Sequence, residues 1–291
     1  MKNSTRLLLS LSLLVTSLAP LNAQETSAAM PGPPKVLVIN REFLKPGKSG
    51  AAHRKTESAF VNAMAAAKWP TRYFAANSLS GAPRSLFFTG YESFAAWEKD
   101  NLATEQNATL AAALDHAATV DGDLLSAYDV SAFALREDLS LRQAVDIPHM
   151  RYFEISRFVV RPGHRKEFEE LAKLYVSNYE KSVPEAHWAT FESMYGADNG
   201  GVFLVINPMK SMTEIDQGFA QSKQFMAAMG EDGMKKLETL SAACLASAQS
   251  NLFAFSPSMS YPADEWIKAD PTFWKPKPTT MAKKAEPKPA Q

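Results

Sequence analysis

The chain has 291 residues, with 31 Lys and Arg balanced by 31 Asp and Glu, 46% hydrophobic residues, 18 Pro, 13 Gly and one Cys. This composition excludes collagenous, coiled-coil, wholly disordered and disulfide-stapled classes. Setting aside Lys2, Arg6, and the five lysines and Glu286 from residue 275 onward leaves 24 basic against 30 acidic side chains. That is a mildly acidic body without a basic, aromatic-interleaved face, so no nucleic-acid partner is expected.

Residues 1–23 read as an export signal: Lys2 and Arg6 precede the apolar run Leu7 to Val15, and Leu21-Asn22-Ala23 forms a small-residue cleavage site. The run is about half the ~20 residues of a spanning helix, and no later segment is long and apolar enough to span. A periplasmic or secreted protein cleaved near Ala23 is expected, with residues 24–34 as a linker.

The most informative feature is an internal repeat. The run from Val36 through Arg41 to Lys45-Pro46-Gly47 aligns without gaps on the run from Tyr152 through Arg157 to Arg161-Pro162-Gly163. Trp69 meets Trp188, and Phe133 meets Phe253, so the offset drifts only from 116 to 120. In the first unit, 35–148, strands are expected at Val36, Tyr73, Leu86 and Val130, with helices over 51–68 and from Ser93 to about Ala118. In the second, 149–258, Phe153 to Val160 alternates as a strand and Lys166 to Ser182 carries Phe168, Leu171, Tyr175 and Tyr179 on one helical face. Strands then follow over 188–195 and 202–206, the latter ended by Pro208, which cannot donate to a ladder. Ser211-Met-Thr-Glu214 is a capping box for a broken helical region reaching about Ala248, and Asn251 to Phe255 is the last strand. Residues 259–274 read as an extension packed through Trp266 and Trp274, and 275–291 as a disordered Lys/Pro tail.

The order β-α-β-β-α-β in each unit is that of a ferredoxin-like unit. With the repeated basic-Pro-Gly turn, the chain resembles the dimeric α+β barrel superfamily as a tandem fusion, nearest its NIPSNAP-like and antibiotic-biosynthesis-monooxygenase-like branches. The resemblance implies two tandem ferredoxin-like units forming an intramolecular α+β barrel. It also admits a haem held by a helix histidine, for which His116 is the candidate; otherwise no cofactor is expected.

Several residues invite a ligand-binding role, each beside a structural alternative. Arg41 and Arg157 take matched places on otherwise apolar strand faces, where each must meet a carboxylate or a ligand anion. Trp69 and Trp188 are matched aromatics, either core anchors or stacking platforms. No histidine shows the spacing of a metal site, so no metal is expected. Cys244 falls with Leu237 and Leu240 on an apolar helical side, which reads as a buried thiol. No Gly-x-Ser-x-Gly elbow, P-loop, dinucleotide Gly motif or Cys-x-x-Cys pair is present. The leading expectation is an exported protein binding a small, apolar or weakly anionic molecule. The alternatives are a cofactor-independent monooxygenase-like enzyme and a structural envelope protein without a ligand. Monomer and homodimer both stay open.

Overall fold

A computed structural model describes residues 32–196 and 201–275. The expected export signal, residues 1–23, and all but Lys275 of the expected Lys/Pro tail lie outside the described residues. The first half runs β1 (Val36–Leu44), α1 (Ala51–Ala66), β2 (Tyr73–Ser78), β3 (Arg84–Tyr91), α2 (Phe94–Gln106), α3 (Ala108–Gly122) and β4 (Leu125–Leu135). The second runs β5 (Tyr152–Val160), α4 (Arg165–Ser182), β6 (Ala189–Tyr195), β7 (Val202–Met209), α5 (Thr213–Cys244) and β8 (Leu245–Phe255), followed by α6 (Asp264–Ala269) and α7 (Pro271–Trp274). None of the described helices is long and apolar enough to cross a membrane.

The expectation of two tandem ferredoxin-like units is corrected by the strand pairing. All eight strands form one closed antiparallel barrel in the order β1-β3-β2-β8-β5-β7-β6-β4, with seven α-helices among the described residues. The reason is the cost of sheet edges: a four-stranded sheet leaves two rows of unpaired backbone groups, and closure removes them. Here β2 pairs with β8 through Ala76↔Phe255 to Ser78↔Phe253, and β4 pairs with β6 through Ala132↔Tyr195 to Leu135↔Phe191.

Alternation along each strand then sends one set of side chains inward. Leu37, Ile39, Leu86, Phe88, Phe133, Phe153, Ile155, Phe191, Leu204, Phe253 and Phe255 form one buried cluster drawn from nearly every strand. Phe153 and Phe255 lie with ring centroids 4.3 Å apart, and Phe74 stacks on Phe88 at 4.8 Å. Trp274 packs into this cluster, with Trp266 against it. The outward set of the second half meets α4 and α5: Val160, Phe168, Phe203, Phe225, Leu237 and the fully buried Cys244 pack together.

Local chemistry explains the element boundaries. The two basic-Pro-Gly turns place Gly47 and Gly163 at φ +75° and +86°, left-handed values that glycine adopts without a Cβ penalty. At the start of α5 the Glu214 carboxylate accepts from the Lys210 N–H at 2.8 Å and the Ser211 N–H at 3.4 Å, while the Ser211 hydroxyl accepts from the Thr213 N–H at 3.2 Å. That helix breaks at Gly230, where φ is +66° and ψ 175°. The expected stop at Pro208 is also corrected, because β7 continues to Met209. The ladder between β6 and β7 ends at Ala189↔Ile206, and the Pro208 carbonyl instead meets His187 Nε2 at 2.8 Å. The missing N–H of Pro208 therefore falls on a side where β7 has no strand partner.

An ion network ties the two halves together. Arg136 donates to Asp138 at 2.9 Å, Glu169 at 3.0 Å and Glu192 at 3.0 Å, and Arg165 also donates to Glu169 and Glu192. The Arg136 hydrogen bond holds Asp138 below its ordinary value; against the cost of burial, bonds from Arg136 and Arg165 do the same for Glu169. Both folded-state values are depressed, so this stabilisation is present above about pH 4.5 and is lost as pH falls through the lowered values. Arg136→Met is expected to lower Tm by about 3 to 6 °C at pH 7, with the gap to wild type narrowing towards pH 3. Thermal melts of both proteins across that range check it; a gap independent of pH would contradict the assignment.

Candidate functional site

On the outward face of the second half, a cavity of about 920 Å³ lies between β5, β6, β7, α4 and the first half of α5. The strands supply its floor, because Glu154, Ser156 and Phe158 alternate outward on β5, as do Val205 and Asn207 on β7. Glu154 and Asn207 are directly opposed across the β5–β7 ladder. From α4, Phe168, Leu171, Tyr175 and Tyr179 come in at three- and four-residue spacing; Trp188 enters just before β6; and Glu214, Gln217 and Gln221 of α5 line the side towards its N-terminus.

The walls are aromatic and mutually braced. Tyr179 meets Trp188 edge-on at 5.5 Å, and Phe225 stacks on Tyr179 at 4.5 Å and on Tyr175 at 5.3 Å. The Trp188 indole N–H donates to the Leu139 carbonyl at 3.0 Å, fixing the ring. Burial, then the Glu154 charge, pushes the Tyr179 phenol up; burial, then Tyr179, does the same to Tyr175. Both phenols therefore stay protonated at neutral pH and can donate to an oxyanion. Within one cavity, then, Glu154 can accept a proton, Tyr179 and Asn207 can donate hydrogen bonds, and flat apolar walls can hold a planar molecule.

The residues singled out from the sequence are not gathered in one place. Trp188 alone of the five lines this cavity. Arg41 lies on the barrel-interior side of β1 and donates to Asp129 at 2.5 Å, directly opposite on β4. Arg157 takes the matched interior position on β5, opposite Gln249 of β8. Trp69 is buried under the first-half helices with Leu110 and Tyr261, its indole N–H donating to Asp100 at 3.0 Å. His116 is exposed on α3 and lines neither this cavity nor a smaller one beside α1.

The large cavity offers a haem no free histidine nitrogen among its described lining residues. Its one lining histidine, His187, has each ring nitrogen within 2.9 Å of a backbone carbonyl, those of Glu185 and Pro208.

The first half holds a group that sequence reasoning missed. Glu42 on β1, His53 and Glu57 on α1 and Asp121 near the end of α3 converge between sheet and helices, at 7, 1, 2 and 1% exposure. His53 Nε2 lies 2.9 Å from Glu42, 3.7 Å from Glu57 and 3.6 Å from Asp121, and one donor atom from each residue falls within 4.8 Å of all the others. Burial, then the neighbouring Glu42 and Asp121 charges, pushes Glu57 up to about 10, and burial also raises Glu42. The available signal was His53 and Glu57 one helical turn apart; Glu42 and Asp121 are too distant in sequence to join them by spacing.

No protein-family model matches the sequence, and no curated protein matches it. Among solved structures, an anthrone oxidase-like protein is similar with a TM-score of 0.51 at 14% identity, over 76% of this chain and 91% of that one. A protein proposed to be a monooxygenase, from Fusobacterium nucleatum, gives 0.47 at 13% identity over 76% and 91%. A chlorite dismutase from Candidatus Nitrospira defluvii gives 0.45 at 8% identity over 81% and 95%. These structures belong to the dimeric α+β barrel superfamily, and at such identities the likeness is one of fold alone.

Proposed function

We propose that the chain is a monooxygenase-like enzyme that oxidises a planar aromatic ketone or phenol with molecular oxygen, in the cavity beneath α4 and α5. The observation that carries this reading is the cavity itself, with Glu154, Tyr179 and Asn207 set among Phe158, Phe168, Tyr175 and Trp188. A purely structural protein needs no such space, and a simple apolar binder needs no carboxylate in its floor. The anthrone oxidase-like fold relative suggests the substrate class, and an antibiotic-biosynthesis-monooxygenase-like branch suits the reading better than a NIPSNAP-like one.

In this scheme the aromatic walls hold the ring system, Glu154 takes a proton from a ring CH2 made acidic by conjugation with the carbonyl, and Tyr179 and Asn207 donate to the resulting enolate oxygen. The carbanion carbon bonds to O2, and a peroxide forms. Loss of water then leaves a new carbonyl. One oxygen atom enters the product, and the other departs as water with the two hydrogens of the original CH2, so a four-electron oxidation of substrate matches the reduction of O2. Export of the protein rests on residues 1–23 alone.

Anthrone serves as the probe. Saturable quenching of tryptophan fluorescence and O2 uptake above the buffer rate are expected, both lost in Ala172→Phe, which fills the cavity from α4. No binding, or uptake equal in the two proteins, would refute the assignment. A Soret band in protein from its own host would replace it with a haem-dependent reading.

A further inference from the structure

We propose that Glu42, His53, Glu57 and Asp121 form a second site, binding a divalent first-row transition cation of the Mn(II), Fe(II) or Zn(II) class. The first argument is geometric. His53 Nε2 points at all three carboxylates, at 2.9, 3.7 and 3.6 Å. Ligands about 2.1 Å from a tetrahedral ion stand about 3.4 Å from one another, so these donors need only small adjustments to surround one.

The second argument is the set of unsatisfied atoms. Glu57 Oε1 and Asp121 Oδ2 are buried without a hydrogen-bond partner, although their residues are 2 and 1% exposed. Three buried carboxyl groups facing one imidazole are costly unless something cationic or protic sits among them. The second half shows that the fold does not demand the arrangement. At the matched offset Glu42 is replaced by Phe158, which packs against Phe168 of α4 at a ring distance of 6.0 Å.

Surrounding contacts suit a ligand histidine. The Ser85 hydroxyl lies 3.4 Å from His53 Nδ1 and donates to Asn77 at 2.6 Å, which orients the ring with Nε2 inward. Thr56 donates to Asp121 Oδ1, the oxygen 3.6 Å from His53 Nε2, and Oδ2 is left as the unpartnered atom. A separate cavity of about 410 Å³, lined in part by Arg54 and Arg84, reaches His53.

The donor set selects the ion. One imidazole with carboxylates suits Mn(II), Fe(II) and Zn(II); Mg(II) keeps several waters, and Ca(II) seeks six to eight oxygens. Four protein donors from β1, α1 and α3 make a closed site, so the ion's role is to pin both helices to the sheet.

The test uses the full chain without a histidine tag, stripped with chelator and then titrated with Mn(II), Zn(II) and anaerobic Fe(II), with Mg(II) and Ca(II) as controls. About one equivalent of a transition ion by elemental analysis is expected, with a rise in Tm of about 5 °C or more at 100-fold excess over Kd. The Glu57→Gln/Asp121→Asn variant keeps side-chain shape; it is expected to fold, hold no ion and show no rise. Equal metal content in the variant, or wild-type protein with neither bound ion nor shift, overturns the proposal and leaves a cluster held by protons. Anthrone binding in the other half is independent of either outcome.

Discussion

Replacing Glu154 by Gln is expected to lower turnover of an anthrone-class substrate by about 10² to 10⁴-fold, the range lost when a positioned general base is removed. The amide keeps the shape of the side chain in the floor of the cavity, so substrate affinity should change no more than a few-fold and Tm should stay within a degree or two. Loss of kcat with retained binding separates a proton acceptor from a residue that merely shapes the site. Asn207→Leu is the companion measurement. It removes a donor to the developing oxyanion opposite Glu154, with a smaller loss of about 10² to 10³-fold. Unchanged turnover in Glu154→Gln would move the proton-accepting step elsewhere in the cavity or remove it from the mechanism.

How much of this was legible in the sequence depends on the range of the interactions involved. The turns at Gly47 and Gly163, the capping residues Ser211 and Glu214 and the alternation of β5 are settled by neighbouring residues, and the strands and helices follow from them. Closure was less accessible, since β2 meets β8 across more than 170 residues and nothing local marks Ala76 and Phe255 as partners. The same holds for function. Glu154 looks in sequence like any polar position on a half-buried strand, and only the helices above β5 turn that face into a cavity. Trp188 can be singled out because its match at Trp69 makes it conspicuous, but the match does not extend to the surroundings: one indole lines the cavity and the other packs under a helix. Arg41 was correctly constrained by charge on an apolar face to need a partner, and Asp129 supplies one.

Trp274→Ala is expected to destabilise the protein by about 3 to 5 kcal/mol, one of the larger single losses available in this fold. The barrel interior is filled by rings, and that filling does not end with the strands. After β8 the chain passes Met259, folds into α6 and α7, and returns Trp266 and Trp274 to the same cluster. Trp274 is 4% exposed and stands edge-on to Phe255 at 5.7 Å and tilted against Trp266 at 5.1 Å. Its indole N–H donates to the Pro148 carbonyl at 2.8 Å, in the connector between the two halves, and Arg151 pairs with Asp270 close by. Truncation therefore opens a void beside Phe255, leaves the Pro148 carbonyl with only the longer 3.2 Å bond from Arg151, and loosens the segment that holds β5 in register. Trp274→Phe keeps an aromatic ring and gives up mainly the hydrogen bond, about 1 kcal/mol. Denaturant unfolding of the two variants should thus be ordered wild type, Phe, Ala. An Ala variant within about 1 kcal/mol of wild type would mean that the segment after residue 262 rests on the barrel without completing its core.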